Sequence, residues 1–238
     1  MYEDEWHEEV FEEKVRDINA HFETESSHKE YPADKKMAII VAMTLQAFQS
    51  TNGILIIFTY GIDVLGNFFT YYDQIMVLLL FESFVCSLVG PILLSYSGRR
   101  SLELKGIFCM GLSMMGLSVG FFNEVDSQFM EVFVLICLFS FVSSFILTQG
   151  TIVFVYVPEV IQPPMVTIST VVSWSSAILV TVSFPLIREK SENPSLPQAF
   201  LVYSLLAFVT FFICCKWMVE TKDKTELEIR EEFQALEE

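Results

Sequence analysis

A carboxylate in the middle of an apolar run is the feature of this sequence best placed to do chemistry. Glu82 stands in Leu78-Leu79-Leu80-Phe81-Glu82-Ser83-Phe84-Val85-Cys86. If that run crosses a membrane, a bare charge there costs several kcal/mol, so the acid must be protonated or paired. Two readings are open for it: a proton-coupling acid, or a buried helix–helix hydrogen bond or contact to another subunit. Other reactive sets are poorly placed. The three histidines, His7, His21 and His28, all lie in the acidic N-terminal segment. The five cysteines (Cys86, Cys109, Cys137, Cys214, Cys215) fall inside apolar runs, with no histidine or acid at metal-ligand spacing. They read as small core or lipid-facing residues. There is no phosphate-binding Gly-x-x-x-x-Gly-Lys loop and no Gly-x-Ser-x-Gly elbow. No enzyme, cofactor or metal is expected.

The elements that must carry Glu82 are membrane spans. Of 238 residues 53% are apolar, with 23 Phe and 10 Met concentrated in residues 37–218, more than a water-facing surface tolerates. A spanning helix needs about 20 apolar residues. Six stretches qualify, at 38–61, 74–96, 104–123, 129–157, 165–187 and 198–218. The breaks between them, Gly61–Asp73, Ser97–Glu103, Asn123–Gln128, Pro158–Pro164 and Arg188–Pro197, carry Gly, Pro, Asn or charge. The expected fold is therefore an all-α membrane protein of six transmembrane helices in lipid.

Six spans put both ends of the segment on one side. Lys35, Lys36, Arg99, Arg100, Lys105, Lys216, Lys222 and Lys224 gather near that side, against Arg188 and Lys190 on the other. Positive charge marks the side that is not translocated. Both termini should face the cytoplasm, or the matrix if the membrane is the mitochondrial inner membrane rather than the plasma membrane.

The net charge of −16 comes mainly from the ends: residues 1–36 carry 12 acids and 5 bases, residues 219–238 carry 8 and 3. Nucleic acid is not an expected partner. The organisation expected is an acidic tail (1–36), a six-helix domain (37–218) and a second acidic tail (219–238). In the first tail Trp6, Val10, Val15, Ile18 and Phe22 recur among acids as on an amphipathic helix. Anionic lipid would repel that helix, leaving a protein partner or this chain's own loops for its apolar face. Residues 225–238 could form a second short acidic helix. The acidic start resembles neither a secretory signal nor a transit peptide, so insertion is expected to be directed by the first span.

Four motifs then appear in order. Leu45-Gln46-Ala47-Phe48-Gln49-Ser50-Thr51-Asn52-Gly53-Ile54 and the residues on to Tyr60 resemble LQ-x-x-QQ-x-x-GIN-x-x-x-YY, the seventh helix of major facilitator sugar porters. Ser95-Tyr96-Ser97-Gly98-Arg99-Arg100 is similar to that family's (D/E)R-x-GRR loop, and Val157-Pro158-Glu159 stands where its tenth helix ends in an acid. Val219-Glu220-Thr221-Lys222-Asp223-Lys224-Thr225 onward to Ile229 resembles PETKG(K/R)T-x-x-E-I after its last span. The chain thus resembles helices seven to twelve, the C-terminal half of a sugar porter, over residues 38–229.

The resemblance implies a sugar site and a gate, both altered. Gln49 keeps the first glutamine of the seventh helix, but Ser50 replaces the second and Leu55 the asparagine. Ser83 stands for an asparagine on the eighth helix, Gly150-Thr151-Ile152-Val153-Phe154 for GPIPW, and Ala177 for an asparagine beside a retained Trp174. Gly98, Arg99, Arg100, Glu159, Glu220 and Thr221 are the gate residues by resemblance. Ser95 takes the place of the loop acid, and Glu159 is left with only Arg99 or Arg100 as a partner. Because a major facilitator works by rocking two six-helix halves, two functional readings follow. One is a transport-inactive, structural or accessory subunit of a larger membrane complex, its partners other membrane subunits. The alternative is a half-transporter that pairs with itself or with an N-half, around a midplane cavity lined by Gln49, Ser50, Ser83 and Gln149, to carry a sugar or polyol. A gene product lacking its N-half is a third possibility.

Overall fold

A computed structural model describes residues 36–66, 68–122, 127–190 and 196–237, with backbone alone for 186–190. The amphipathic helix expected around Trp6 to Phe22 lies outside the described residues, as does much of the breaks expected at Asn123–Gln128 and Arg188–Pro197. The described chain is helical: α1 (Lys36–Thr51), α2 (Ile54–Leu65), α3 (Tyr72–Tyr96), α4 (Arg99–Phe122), α5 (Gln128–Leu147), α6 (Gln149–Val160), α7 (Pro163–Lys190), α8 (Leu196–Trp217) and α9 (Glu226–Ala235). Six of these segments are long and apolar enough to cross a membrane: α1 with α2, α3, α4, α5 with α6, α7 and α8. Without water, every backbone group must be satisfied within its own segment, which is why each span is helical.

Two spans are broken, and side chains repair both breaks. After Thr51 the backbone turns at Gly53, whose φ of +97° is open only to glycine at low cost. Asn52 bridges the gap, donating from Nδ2 to the Gln49 carbonyl at 3.1 Å and accepting from the Ile54 N–H at 2.9 Å. In the fourth span α5 gives way to α6 at Thr148, whose hydroxyl donates to the Ser144 carbonyl at 2.7 Å. Polar residues inside these apolar runs hold a bend in lipid, as expected where irregular backbone lines protein rather than bilayer.

The packing is centred on α4, which lies against α8, α5 and α6, and on α1, which lies against α7, α8 and α6. In the first span and in α4, 56% of the most apolar stretch is buried, against 17% in α3 and α7. The latter two are the outer walls, exposing Phe81, Phe84 and Leu88 on α3 and Val171, Trp174 and Ile178 on α7.

The break expected over Ser97–Glu103 is much shorter than its polarity suggests. Helix α4 begins at Arg99, because the Glu220 carboxylate accepts the N–H groups of Arg99 and Arg100 at 2.7 and 3.2 Å. It thereby supplies the cap that these residues cannot make for themselves.

The second acidic helix forms as α9 and folds back on the domain, burying Ile229 and Phe233, with Glu237 accepting the Met37 N–H at 3.0 Å. A reciprocal capping box starts it: Thr225 N–H donates to Glu228 at 2.7 Å, and Glu228 N–H donates to the Thr225 hydroxyl. The backbone and hydroxyl donors of Thr225, with Lys224 nearby, hold the Glu228 carboxyl below its ordinary value of 4.5. A lowered folded-state value stabilises above the unfolded value and is lost as pH falls through the folded one. Hydrogen-exchange protection of α9 should therefore hold above about pH 4.5 and drop in more acid buffer. Glu228→Ala should show the lower protection at every pH.

Candidate functional site

Two constellations emerge, one against the broken spans and one at the end where α1 begins and α8 stops. In the first, Gln46, Gln49 and Ser50 lie on the last turns of α1. Ser173 and Trp174 each lie three or four residues from both Thr170 and Ala177 on α7, so the four share a helix face. With Phe58 of α2, Phe145 of α5 and Phe154 of α6 they line a cavity of about 320 Å³. Its polar groups are few and partly engaged. The Ser50 and Ser173 hydroxyls hydrogen-bond each other at 2.9 Å, and Thr170 donates to the Val166 carbonyl at 2.9 Å.

Of the residues singled out from sequence, Gln49, Ser50 and Trp174 meet on this cavity, and Leu55 and Ala177 line it where asparagines stand in the sugar-porter pattern. Ser83 does not line it: its hydroxyl donates to Leu79 of its own helix at 2.7 Å. Gln149 is fully buried and donates to the Leu45 carbonyl at 2.8 Å, tying the fourth span to the first instead of facing the cavity. Glu82 is also away from it, accepting a hydrogen bond from Ser143 across the α3–α5 contact, with Cys86 donating to that same hydroxyl. The helix step on α7 was the available sign of Ser173 and Thr170. Phe154 stands at the last position of the GPIPW-like stretch, whereas nothing in the sequence marks Phe58 and Phe145 among the many phenylalanines.

At the second constellation three segments converge. Arg99 Nη2 lies 3.3 Å from Glu159 Oε1, and Thr221 Oγ1 donates to Glu159 Oε2 at 2.5 Å. Glu220, besides capping α4, accepts the N–H groups of Thr221 and Lys222 at 3.2 and 3.1 Å. Arg100 Nη2 donates to the Cys215 carbonyl at 2.8 Å, and Tyr156 accepts the Val219 N–H at 3.2 Å. Gly98 is required by close approach, since a Cβ there would sit 2.3 Å from Glu220 Oε2. Glu159 thus finds its arginine in Arg99. Where the loop acid is missing, the Ser95 backbone carbonyl receives Lys222 Nζ at 2.9 Å. Charges and caps hold the start of α4, the end of α6 and the segment after α8 in one arrangement.

With that geometry in place, comparison with known proteins is direct. A model of the sugar (and other) transporter family matches residues 3–233. The chain belongs to that family. Among relatives, Hexose transporter 1 of Plasmodium falciparum is 24% identical over 79% of this chain and 38% of its own length. Solute carrier family 2, facilitated glucose transporter member 2 of Gallus gallus is 27% identical over 83% of this chain and 37% of its own. Among solved structures, the inward-open xylose transporter XylE from E. coli superposes with a TM-score of 0.73 at 19% identity, covering 95% of this chain and 46% of XylE. The chain therefore has the fold of about half such a transporter and spans under two fifths of the curated relatives' length. It is an integral membrane protein, and its relatives are transporters, not enzymes. The family match reaches back to residue 3, so it takes in the acidic tail that sequence reading set apart.

One residue of this sugar-porter-family chain escaped the sequence reading. Glu103 belongs to the buried face of α4, is fully buried, and has no hydrogen-bond partner at either carboxyl oxygen among the described residues. By sequence it stands at the end of the polar break Ser97–Glu103, where an acid needs no explanation. A buried polar group without a partner costs roughly 1–3 kcal/mol. Glu103→Met should accordingly raise the thermal midpoint in mild detergent by a few degrees. A midpoint that stays put or falls would mean that the carboxyl has a partner.

Proposed function

We propose that this chain works as the C-terminal half of a sugar-porter-type carrier. A second six-helix half covers its cavity, and the Arg99–Glu159–Thr221–Glu220 cluster acts as the lock on one end state. The lock carries this reading. A packing relic needs apolar contacts, whereas here three segments separated in sequence converge on two carboxylates at the end where a rocking half must be held and released. The excess of Lys and Arg at that end supports placing it, with both tails, in the cytoplasm or matrix. The transported solute is a sugar, polyol or derivative.

The second reading, a transport-inactive accessory subunit of a membrane complex, is favoured by a different observation: Ser50 and Ser173 satisfy each other, and neither Leu55 nor Ala177 can hydrogen-bond a hydroxyl. One experiment separates the two. Vesicles holding the chain with whatever six-helix half purifies with it are loaded with labelled sugars and polyols, and Arg99→Ala is compared with the wild type. Because the Arg99–Glu159 pair is part-exposed, with side chains 19% and 29% accessible, its loss should cost only about 0–1 kcal/mol of stability. Uptake should nevertheless change by up to about fivefold, as the locked state loses its advantage. Uptake no greater than in protein-free vesicles, across all solutes, would establish the accessory role.

A further inference from the structure

The cavity on the broken spans also bears on what kind of solute it accepts. Its polar side chains are unevenly available. Ser50 and Ser173 are bonded to each other and Thr170 to its own helix. Gln46 and Gln49, three residues apart and hence on one face of α1, both line the cavity, and neither side-chain amide is hydrogen-bonded to another described residue. One edge of the cavity therefore offers two free amides, each both donor and acceptor.

The remaining wall is aromatic and aliphatic. Phe58 and Phe145 are part-buried in it, Phe154 and Trp174 are 65% and 69% exposed, and Leu55 and Ala177 fill positions that cannot hydrogen-bond. A solute with hydroxyls on every edge would leave several of them against this wall, and each unpaired group costs roughly 1–3 kcal/mol. A solute with an apolar body and one hydroxylated edge satisfies both sides. At about 320 Å³, the concavity of this half alone already reaches the lower bound of small-molecule sites, about 300–1,000 Å³.

Building on the carrier reading above, we infer that the solute class is a glycoside or similarly amphipathic polyol: a hydroxylated edge held by Gln46 and Gln49, with an aryl or alkyl substituent against Trp174, Phe154 and Phe58. Aromatic contacts of this kind add to affinity beyond their buried area, while the paired amides fix orientation.

The test is calorimetric titration of the chain, with any copurifying half, in lipid nanodiscs, since glycoside detergents would themselves compete. Phenyl β-D-glucopyranoside should bind at least tenfold more tightly than D-glucose. Gln49→Ala should weaken it at least tenfold, and Trp174→Ala should erase the preference over glucose. D-glucose binding as tightly as the phenyl glucoside, or a preference that survives Trp174→Ala, overturns the inference and leaves the carrier reading standing. Folded protein that binds neither compound also overturns the inference, and the uptake measurement then decides the carrier reading by itself.

Discussion

Replacing Glu220 with alanine should lower the thermal midpoint in mild detergent by on the order of 10 °C, and should expose the first amides of α4 to exchange. The reason is the number of donors that share this carboxylate. It accepts from the N–H groups of Arg99, Arg100, Thr221 and Lys222, at 2.7, 3.2, 3.2 and 3.1 Å. Hydrogen bonds to a charged group contribute roughly 1.5–3 kcal/mol each, and a negative charge at a helix N-terminus adds a few tenths to one more. These contributions overlap and water reaches part of the site, so a net loss of about 3 kcal/mol is the expected scale. At this chain length about 2–4 °C accompanies each kcal/mol. Glu220→Gln keeps an acceptor of the same shape without the charge and should fall between the two. Unchanged exchange at the Arg99 and Arg100 amides in Glu220→Ala would show that α4 does not depend on this cap, and the lock would lose its central member.

Gly106→Ala should be at least as damaging, through a different mechanism. A Cβ built on Gly106 would sit 1.9 Å from Thr148 Oγ1 and 2.5 Å from both Thr148 Cβ and Cγ2. The offending atoms are not the end of a flexible chain; they belong to the residue at which α5 breaks into α6. To admit one methyl group, α4 must move away from that break or the break must reshape, so the cost should lie at or above the upper end of the overpacking range, about 3 kcal/mol. Thermal unfolding of the single variant and of Gly106→Ala combined with Thr148→Gly checks the argument. The double variant should regain most of the lost stability, because removing the threonine side chain vacates the space. A single variant as stable as wild type would mean that α4 and the break are not this close.

Both effects concern contacts that local pattern does not reveal, and this marks the boundary of what the sequence disclosed. The six spans were legible because lipid leaves little choice: a run of about 20 apolar residues must form a helix that satisfies its own backbone. The family was legible from four short motifs in order, and a second short acidic helix was expected over residues 225–238, though its capping box shows only in the structure. The broken spans were less so. Asn52 and Gly53 read as part of a motif, but only the fold shows Asn52 supplying bonds that the Gly53 turn removes.

Residue type and spacing therefore determined that this is a helical membrane protein of the sugar-transporter family, with charge at one end and few sugar-type ligands. Tertiary structure decided which of those polar groups are free to act. It spent the Ser50 and Ser173 hydroxyls on each other, set Gln149 against Leu45 and Glu82 against Ser143, and left Gln46 and Gln49 facing the cavity. It also gave Glu159 its arginine from a segment 60 residues away and buried Glu103 without a partner. The physical reason is common to all of them. A side chain's capacity to hydrogen-bond is written in its type, but whether that capacity is already satisfied depends on neighbours that only helix packing brings within 3 Å or so.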